Sequence, residues 1–321
     1  MNRHIAATCI ALLAFGPLAA LGQGAATYPS RAIRMIVPFS AGGPTDILAR
    51  ALAEEIPKLL GQSMIVENRL GAGGNLGAEI AAKSPPDGYT LVMGASGAFA
   101  INVTLFPKLP YDVVRDFAPV SLATILPMVL VVHPSLPVNT VRDLVDLAKT
   151  RQLSYGSAGN GTSIHLSTEM FNAITGISMA HVPYKGVSQA MVDLVGGQYP
   201  LMFSDAMTAL PQVNAGKLRA VAITAPSPLY PGVPTFIDSG IAGYDPSVWY
   251  GVFAPAGPPK DIVNKLSAAI AKGLQTPQVR DRLAAMGART VGSTPEEFGE
   301  FVRAEIARWA KVVKASGARV D

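Results

Sequence analysis

Two stretches carry residue types that can hold an anion without any cationic side chain. The first is Val37-Pro38-Phe39-Ser40-Ala41-Gly42-Gly43-Pro44-Thr45-Asp46, and the second is Gly156-Ser157-Ala158-Gly159-Asn160-Gly161-Thr162-Ser163. Each follows a short apolar run of strand character and precedes apolar residues at helical spacing, so each is a strand, a glycine turn and a helix start. The first N–H groups of a helix lack internal partners and sit at the positive end of its dipole. Groups so arranged bind anions, carboxylates included. Gly42 and Gly43 allow close backbone approach and positive φ, and Pro44 suits a first helical position. Asp46, near the third, either accepts from those amides or faces the site. In the second stretch Ser157, Asn160, Thr162 and Ser163 add hydroxyls and an amide. One of them would suffice as a helix cap, and four so close together, among three glycines, point to a ligand.

Smaller signals lie nearby. Ser96, Gly97 and Ala98 end another strand, Tyr89 to Met93. Tyr184 ends the strand Ser178 to Tyr184, and Lys185 after it either adds a charge or is solvated. Asp205 ends the strand Tyr199 to Phe203. It accepts from a ligand amine or hydroxyl, or caps the helix that follows.

Support for catalysis or metal binding is thin. Gly94-Ala95-Ser96-Gly97-Ala98 is not a nucleophile elbow, because its second glycine comes one position early. Gly71-Ala72-Gly73-Gly74-Asn75-Leu76-Gly77 has the wrong spacing for a dinucleotide fingerprint, and no phosphate-loop signature occurs. Apart from His4, the histidines are His133, His165 and His181, and no two sit at metal-ligand spacing. No metal and no cofactor are expected. His133, before a proline at a strand end, is structural. His165 either positions the glycine loop or a ligand, or packs as a helix residue. His181 is a half-buried strand residue. One enzymatic alternative stands: a hydrolase using Ser157 or Ser163 with His165, for which no third group is evident.

The elements that must position these groups alternate between strand and helix, which indicates parallel sheets with right-handed crossovers. In such sheets ligands sit beyond the carboxyl ends of the strands. The pattern of strand, glycine loop and helix appears twice, as an approximate internal duplication. Leu122 to His133, interrupted by Pro127, is expected as two strands passing between domains. Ala225 to Gly243, rich in Pro, Gly and Ser, is expected as a surface excursion. Trp249 to Pro255 returns as a strand. Helices follow over Lys260 to Leu274, Pro277 to Met286 and Pro295 to Ala315.

The chain is 49% hydrophobic and 15% charged, with 31 Gly and 26 Pro among 321 residues. That composition suits buried sheets joined by tight turns rather than disorder. Asn2-Arg3-His4, the apolar Ile5 to Leu21 and the small residues Gly22 to Ala26 form a secretory signal peptide, with cleavage expected between Gly22 and Thr27. Cys9 is the only cysteine. It precedes the main apolar stretch, which suits neither a lipid anchor nor a disulfide. Export without disulfides fits a bacterial periplasmic protein. The formal charge is +4, and +3 without Arg3. The basic residues are scattered, which argues against nucleic acid.

Further motifs extend along the chain: Tyr28-Pro29-Ser30-Arg31, Ile36-Val37-Pro38-Phe39, Glu67-Asn68-Arg69, Asp87-Gly88-Tyr89-Thr90 and Ala100-Ile101-Asn102, then Tyr155-Gly156-Ser157, His165-Leu166, His181-Val182-Pro183-Tyr184-Lys185-Gly186, Gly196-Gly197-Gln198, Gly216-Lys217-Leu218-Arg219-Ala220 and Ala254-Pro255-Ala256-Gly257. With these the whole mature chain resembles the periplasmic solute-binding receptors of tripartite tricarboxylate transporters, the TctC-like or Bug-type proteins. The resemblance implies an α/β, two-domain periplasmic binding protein fold of type II, each domain a mainly parallel sheet flanked by helices. It implies a small carboxylate gripped through backbone amides and ordered water by Phe39 to Asp46, Ser96 to Ala98 and Ser157 to Ser163. Asp205 falls where the family's ligand-discriminating side chain often lies. Ser40 and Val103 depart from residues common in relatives. The expected domains are 27–126 with 247–321, and 127–246, after a leader of 1–26. The expected partners are a carboxylate and integral-membrane transporter subunits, for a monomeric, non-catalytic receptor. Presentation of the loaded receptor to a membrane sensor kinase is a further alternative.

Overall fold

The computed structural model describes residues 28–319. The expected leader and Cys9 lie outside the described residues. The chain opens with β1 (Ile33–Val37), α1 (Pro44–Leu60), β2 (Met64–Asn68), α2 (Asn75–Ala82) and β3 (Thr90–Ala95). A wide helical turn, Gly97–Ile101, leads into the short α3 (Asn102–Leu105) and the long β4 (Phe117–Val132). Next come α4 (Val141–Thr150), β5 (Leu153–Ser157), α5 (Ser163–Thr175), β6 (Met179–Pro183), α6 (Val187–Val195), β7 (Leu201–Asp205), α7 (Ala206–Asn214) and β8 (Arg219–Ile223). β9 (Ser247–Pro255), α8 (Lys260–Leu274), α9 (Pro277–Ala284), β10 (Arg289–Thr290) and α10 (Pro295–Ser316) complete the fold.

The strands form two five-strand arrays that share β4. In the first the order is β2-β1-β3-β9-β4, with β9 reversed between β3 and β4, and β10 adds antiparallel to β4. In the second the order is β6-β5-β7-β4-β8, with β4 reversed between β7 and β8. Each array therefore has four strands in one direction and one intruder at the same place. The duplication expected from the sequence pattern is present as topology.

β4 corrects one expectation. Leu122 to His133 does not divide into two strands: all of it but His133 belongs to a single strand of 16 residues. Pro127 is tolerated because it sits at the end of the β9 ladder, opposite Ser247. From Met128 onward β4 pairs with β7 and β8 instead. Two register shifts, between Pro119 and Ser121 and between Leu122 and Thr124, help it bend. The stretch Ala225 to Gly243 runs mostly over the surface, as expected, but is anchored inward. Its Tyr230 and Phe236 are buried, and Phe236 packs edge-on to Tyr244 with centroids 4.5 Å apart. Its turn-rich composition hid these aromatic anchors.

Helices begin where side chains or prolines favour them. Thr140 caps α4 and Thr294 caps α10, each with a reciprocal bond from the third helical residue, Asp143 and Glu297. α10 closes the first array through a buried polar contact. The indole N–H groups of Trp249 and Trp309 both donate to Glu305 Oε2, at 2.9 and 3.1 Å, and all three residues are buried. Glu305→Ala leaves two buried donors without a partner and should cost about 3 kcal/mol. Glu305→Gln keeps an acceptor and should cost less. Urea unfolding of both variants measures the difference, and equal midpoints would show that the two indoles do not depend on this acceptor.

Candidate functional site

The carboxyl ends of β1 and β3 face those of β5 and β7 across a narrow cavity of about 30 Å³. The first array contributes Phe39, Ser40, Gly43, Pro44, Thr45, Ala95, Gly97, Val248 and Tyr250. The second contributes Ala158, Thr162, Ser163, Ile164, Val187 and Asp205. Helix starts converge here. α1 begins at Pro44, α5 at Ser163, α6 at Val187, and the wide helical turn at Gly97. The residues before α1 and α6 are Gly43 and Gly186, and neither end has a side-chain cap bond. Their first-turn amides thus remain free for a ligand. No Lys, Arg or His lines this space. The positive potential comes from helix ends alone.

The first loop is held from its outer side. Asn68 Nδ2 donates to Phe39 O and to Asp46 Oδ1, both at 3.0 Å. Asp46 Oδ2 accepts from Gly42 N at 3.0 Å and Arg50 Nε at 2.8 Å. Burial alone would raise the Asp46 pKa, but these bonds outweigh it and hold the carboxyl below its usual range. Of the two roles open to Asp46, the geometry gives it to the loop.

The second loop is held by a column of rings in which Tyr155 and His165 are buried and His181 is half-buried. His165 stacks on His181 with centroids 4.1 Å apart, and His181 stacks on Tyr155 at 4.9 Å. The Tyr155 hydroxyl hydrogen-bonds Glu169. Gly161 N donates to His165 Nδ1 at 3.2 Å, while Ser157 Oγ meets His181 Nε2 at 2.5 Å and accepts from Gly159 N at 3.0 Å. Thr162 Oγ1 donates to Gly159 O at 2.8 Å and accepts from His165 N at 3.5 Å. The hydrolase alternative drew Ser157 or Ser163 together with His165. The contact is otherwise: Ser157 turns to His181, and the His165 acceptor nitrogen is occupied by a backbone amide.

Of the residues singled out in the sequence, Phe39, Ser40, Gly43, Thr45, Gly97, Thr162, Ser163 and Asp205 line the cavity. Gly159, Asn160 and Tyr184 line a neighbouring space, beside Lys185, that shares Phe39 and Ala158 with the first. Ala41 and Gly42 lie exposed on the outside of the turn, Gly42 with φ 77°. Ser96 and Ala98 are buried, and Ala98 O accepts from Tyr111 Oη at 2.9 Å. Asp205 caps α7, with Oδ1 accepting from Thr208 N at 2.8 Å and Oδ2 from Thr208 Oγ1 at 2.9 Å, and also faces the cavity. Ala158, within the expected Ser157 to Ser163 stretch, also lines the cavity, whereas sequence reasoning missed Ala95, Ile164, Val187, Val248 and Tyr250.

The two halves meet closely at glycines. A Cβ on Gly97 would lie 2.7 Å from Gly161 O and 3.1 Å from Thr162 Cα, and one on Gly73 would lie 2.1 Å from Asn160 O.

A family model described as the tripartite tricarboxylate transporter family receptor matches residues 48–318. The protein BugT of Bordetella pertussis is 40% identical over 299 residues, 92% of each chain. Rpa4515 of Rhodopseudomonas palustris, solved with adipate, is 38% identical with a TM-score of 0.87, covering 91% of this chain and 100% of its own. MatC of Rhodopseudomonas palustris, solved with bound malate, is 37% identical with a TM-score of 0.86, covering 89% of this chain and 100% of its own.

The ring column makes the second loop sensitive to acid. Burial, and then the neighbouring His181, lower the His165 pKa to about 3, and burial lowers that of His181 to about 4. Both are neutral when folded but protonate near 6.5 when unfolded. Their contribution is intact above pH 6.5 and declines as pH falls towards 4 and then 3. Between pH 7 and pH 5 each should cost about 1 to 2 kcal/mol of stability. In the double variant His165→Asn/His181→Gln that part of the slope should vanish. Urea midpoints at the two pH values measure it, and identical slopes in both proteins would contradict a neutral buried pair.

Proposed function

The chain belongs to the tripartite tricarboxylate transporter receptor family, and from that premise we propose that it captures a small carboxylate in the periplasm and delivers it to the membrane subunits of its transporter. The observation that carries this reading is the convergence of uncapped helix starts on a cavity without cationic side chains. Such a site suits a carboxylate, whose charge and two acceptor oxygens match converging N–H groups. The adipate and malate in the solved relatives support the ligand class. Among the described residues no helix is long and apolar enough to cross a membrane, consistent with a receptor that meets its transporter from outside the bilayer. We assign residues 1–26 to the export signal.

We divide the receptor into two lobes, 27–126 with 247–321, and 127–246. The change of β4 partners after Pro127 supports that boundary. Lobes so joined can separate and close, and a carboxylate that touches both favours the closed form. A transporter that accepts only that form would then receive only loaded receptor.

The direct test is thermal shift and calorimetry on ligand-stripped protein with a panel of organic acids. At least one small carboxylate should raise the melting temperature, by about 2.7 kcal/mol of added stability at a hundredfold excess over its Kd. A flat response across the panel would sink the proposal. Gly97→Ala separates closure from folding. Its backbone is not in the left-handed region, and its Cβ would lie 2.7 Å from Gly161 O where the two halves approach, so we expect the substitution to hinder that approach rather than folding. The variant should melt like the wild type without ligand and bind the responding acid at least tenfold more weakly, about 1.4 kcal/mol.

A further inference from the structure

The inner cavity is small for an organic acid. On the scale of roughly 10 to 15 Å³ for one enclosed water, its volume of about 30 Å³ takes a carboxyl group but not a chain of several carbons. A second space of about 380 Å³ adjoins it and shares two of its residues, Phe39 from the first half and Ala158 from the second. The Phe39 ring lies against Gly74, where a Cβ would come within 3.0 Å of Phe39 Cζ, so the position of the ring at this junction is fixed from the glycine side.

Both halves line the outer space. Phe106 and the Gly71-Ala72-Gly73-Gly74 turn come from the first, and Asn160 and Pro183-Tyr184-Lys185 from the second. The walls are mostly rings and glycine backbone, with Lys185 as the only charged side chain among them. Lys185 is exposed and takes part in no ion pair among the described residues. Its neighbour Tyr184 is already engaged, with the hydroxyl donating to Asp193 Oδ2 at 2.7 Å. Lys185 also stands in an unfavourable place. It directly precedes Gly186, the residue before α6, whose start has no side-chain cap. A cation at the positive end of a helix is repelled by the dipole, and an anion there is attracted. An anionic group in the outer space would meet both the ammonium and the helix end.

We propose that the outer space is a second subsite of the same cleft, that the ligand is an elongated acid whose body passes between Phe39 and Ala158, and that Lys185 pairs with a second carboxylate at its far end. This inference rests on the reading of the inner cavity as a carboxylate site. The first carboxylate is held by neutral amides and the second by a cation, so the two ends of the ligand are recognised by different chemistry. A monocarboxylate of equal length fills the same apolar passage but leaves Lys185 unpaired. An ω-amino acid places its ammonium against Lys185 and is repelled.

The experiment uses calorimetry on ligand-stripped mature protein with acetate, the pair hexanoate and adipate, the pair octanoate and suberate, and 6-aminohexanoate. In at least one pair the dicarboxylate should bind at least fivefold tighter than the monocarboxylate in 50 mM salt, and the ratio should shrink in 500 mM salt, because the pairing is partly exposed. Lys185→Gln should bring the two members of that pair within about twofold of each other without weakening the monocarboxylate. Lys185→Glu should favour 6-aminohexanoate over adipate, a gain that a damaged fold would not produce. Lys149→Gln, on the far helix α4, should leave every ratio unchanged. If acetate or the monocarboxylates bind but no dicarboxylate binds more tightly, or if the ratio survives Lys185→Gln, the outer subsite is overturned while the carboxylate reading stands. If no member of the series binds, both fall together.

Discussion

Main-chain amides can hold an anion only when nothing else in the protein claims them. The rest of this structure follows from that constraint. Helix starts must point into one cavity, some of them, as at α1 and α6, without side-chain caps, and the loops that carry them must stay rigid without the side chains that usually bind anions. Glycine at 43 and 186 meets the second demand, since it precedes a helix without offering a side-chain acceptor. Glycine at 73 and 97 permits the approach of the facing half, where any Cβ would meet backbone.

Rigidity is supplied from behind, by different means in each half. In the first, Asn68 and Asp46 tie Phe39, Gly42 and Arg50 into one network. In the second, uncharged rings do the same work, with His165 fixing Gly161 and His181 fixing Ser157. Neither network brings a net positive charge into the cavity. Preorganised neutral donors discriminate by position as well as charge, because an amide dipole loses most of its effect within a few ångströms. A lysine in their place would attract any anion of the right size.

The local parts of this design were legible in the sequence. Strand β1, the start of α1 at Pro44 and the start of α5 near Ser163 follow from apolar runs, glycines and capping residues within a few positions of one another. What was not legible depends on register over long distances. Nothing near Tyr250 says that β9 inserts between β3 and β4, yet that insertion alone brings Val248 and Tyr250 to the cavity. The same holds for β4, whose Pro127 looked like a break and is instead the point at which one strand changes partners. The sequence leaves open a hydrolase using Ser157 or Ser163 with His165. The parallel register of β5 and β6 gives Ser157 to His181 instead.

The shared strand also explains how one site can be built from two halves at all. Each array places its intruding strand between the third and fourth of its own, and in the second array that intruder is the continuation of β4 from the first. β9 returns the chain from the second half to the first and pairs with β4 up to the same proline. The connection is therefore a pair of adjacent strands rather than a loose linker. Such a joint permits bending about one axis while preserving the register of both arrays, so Asp205, which opposes Met128 on β4, and Tyr250, which opposes Thr124 on the same strand, stay on one continuous ladder across the joint.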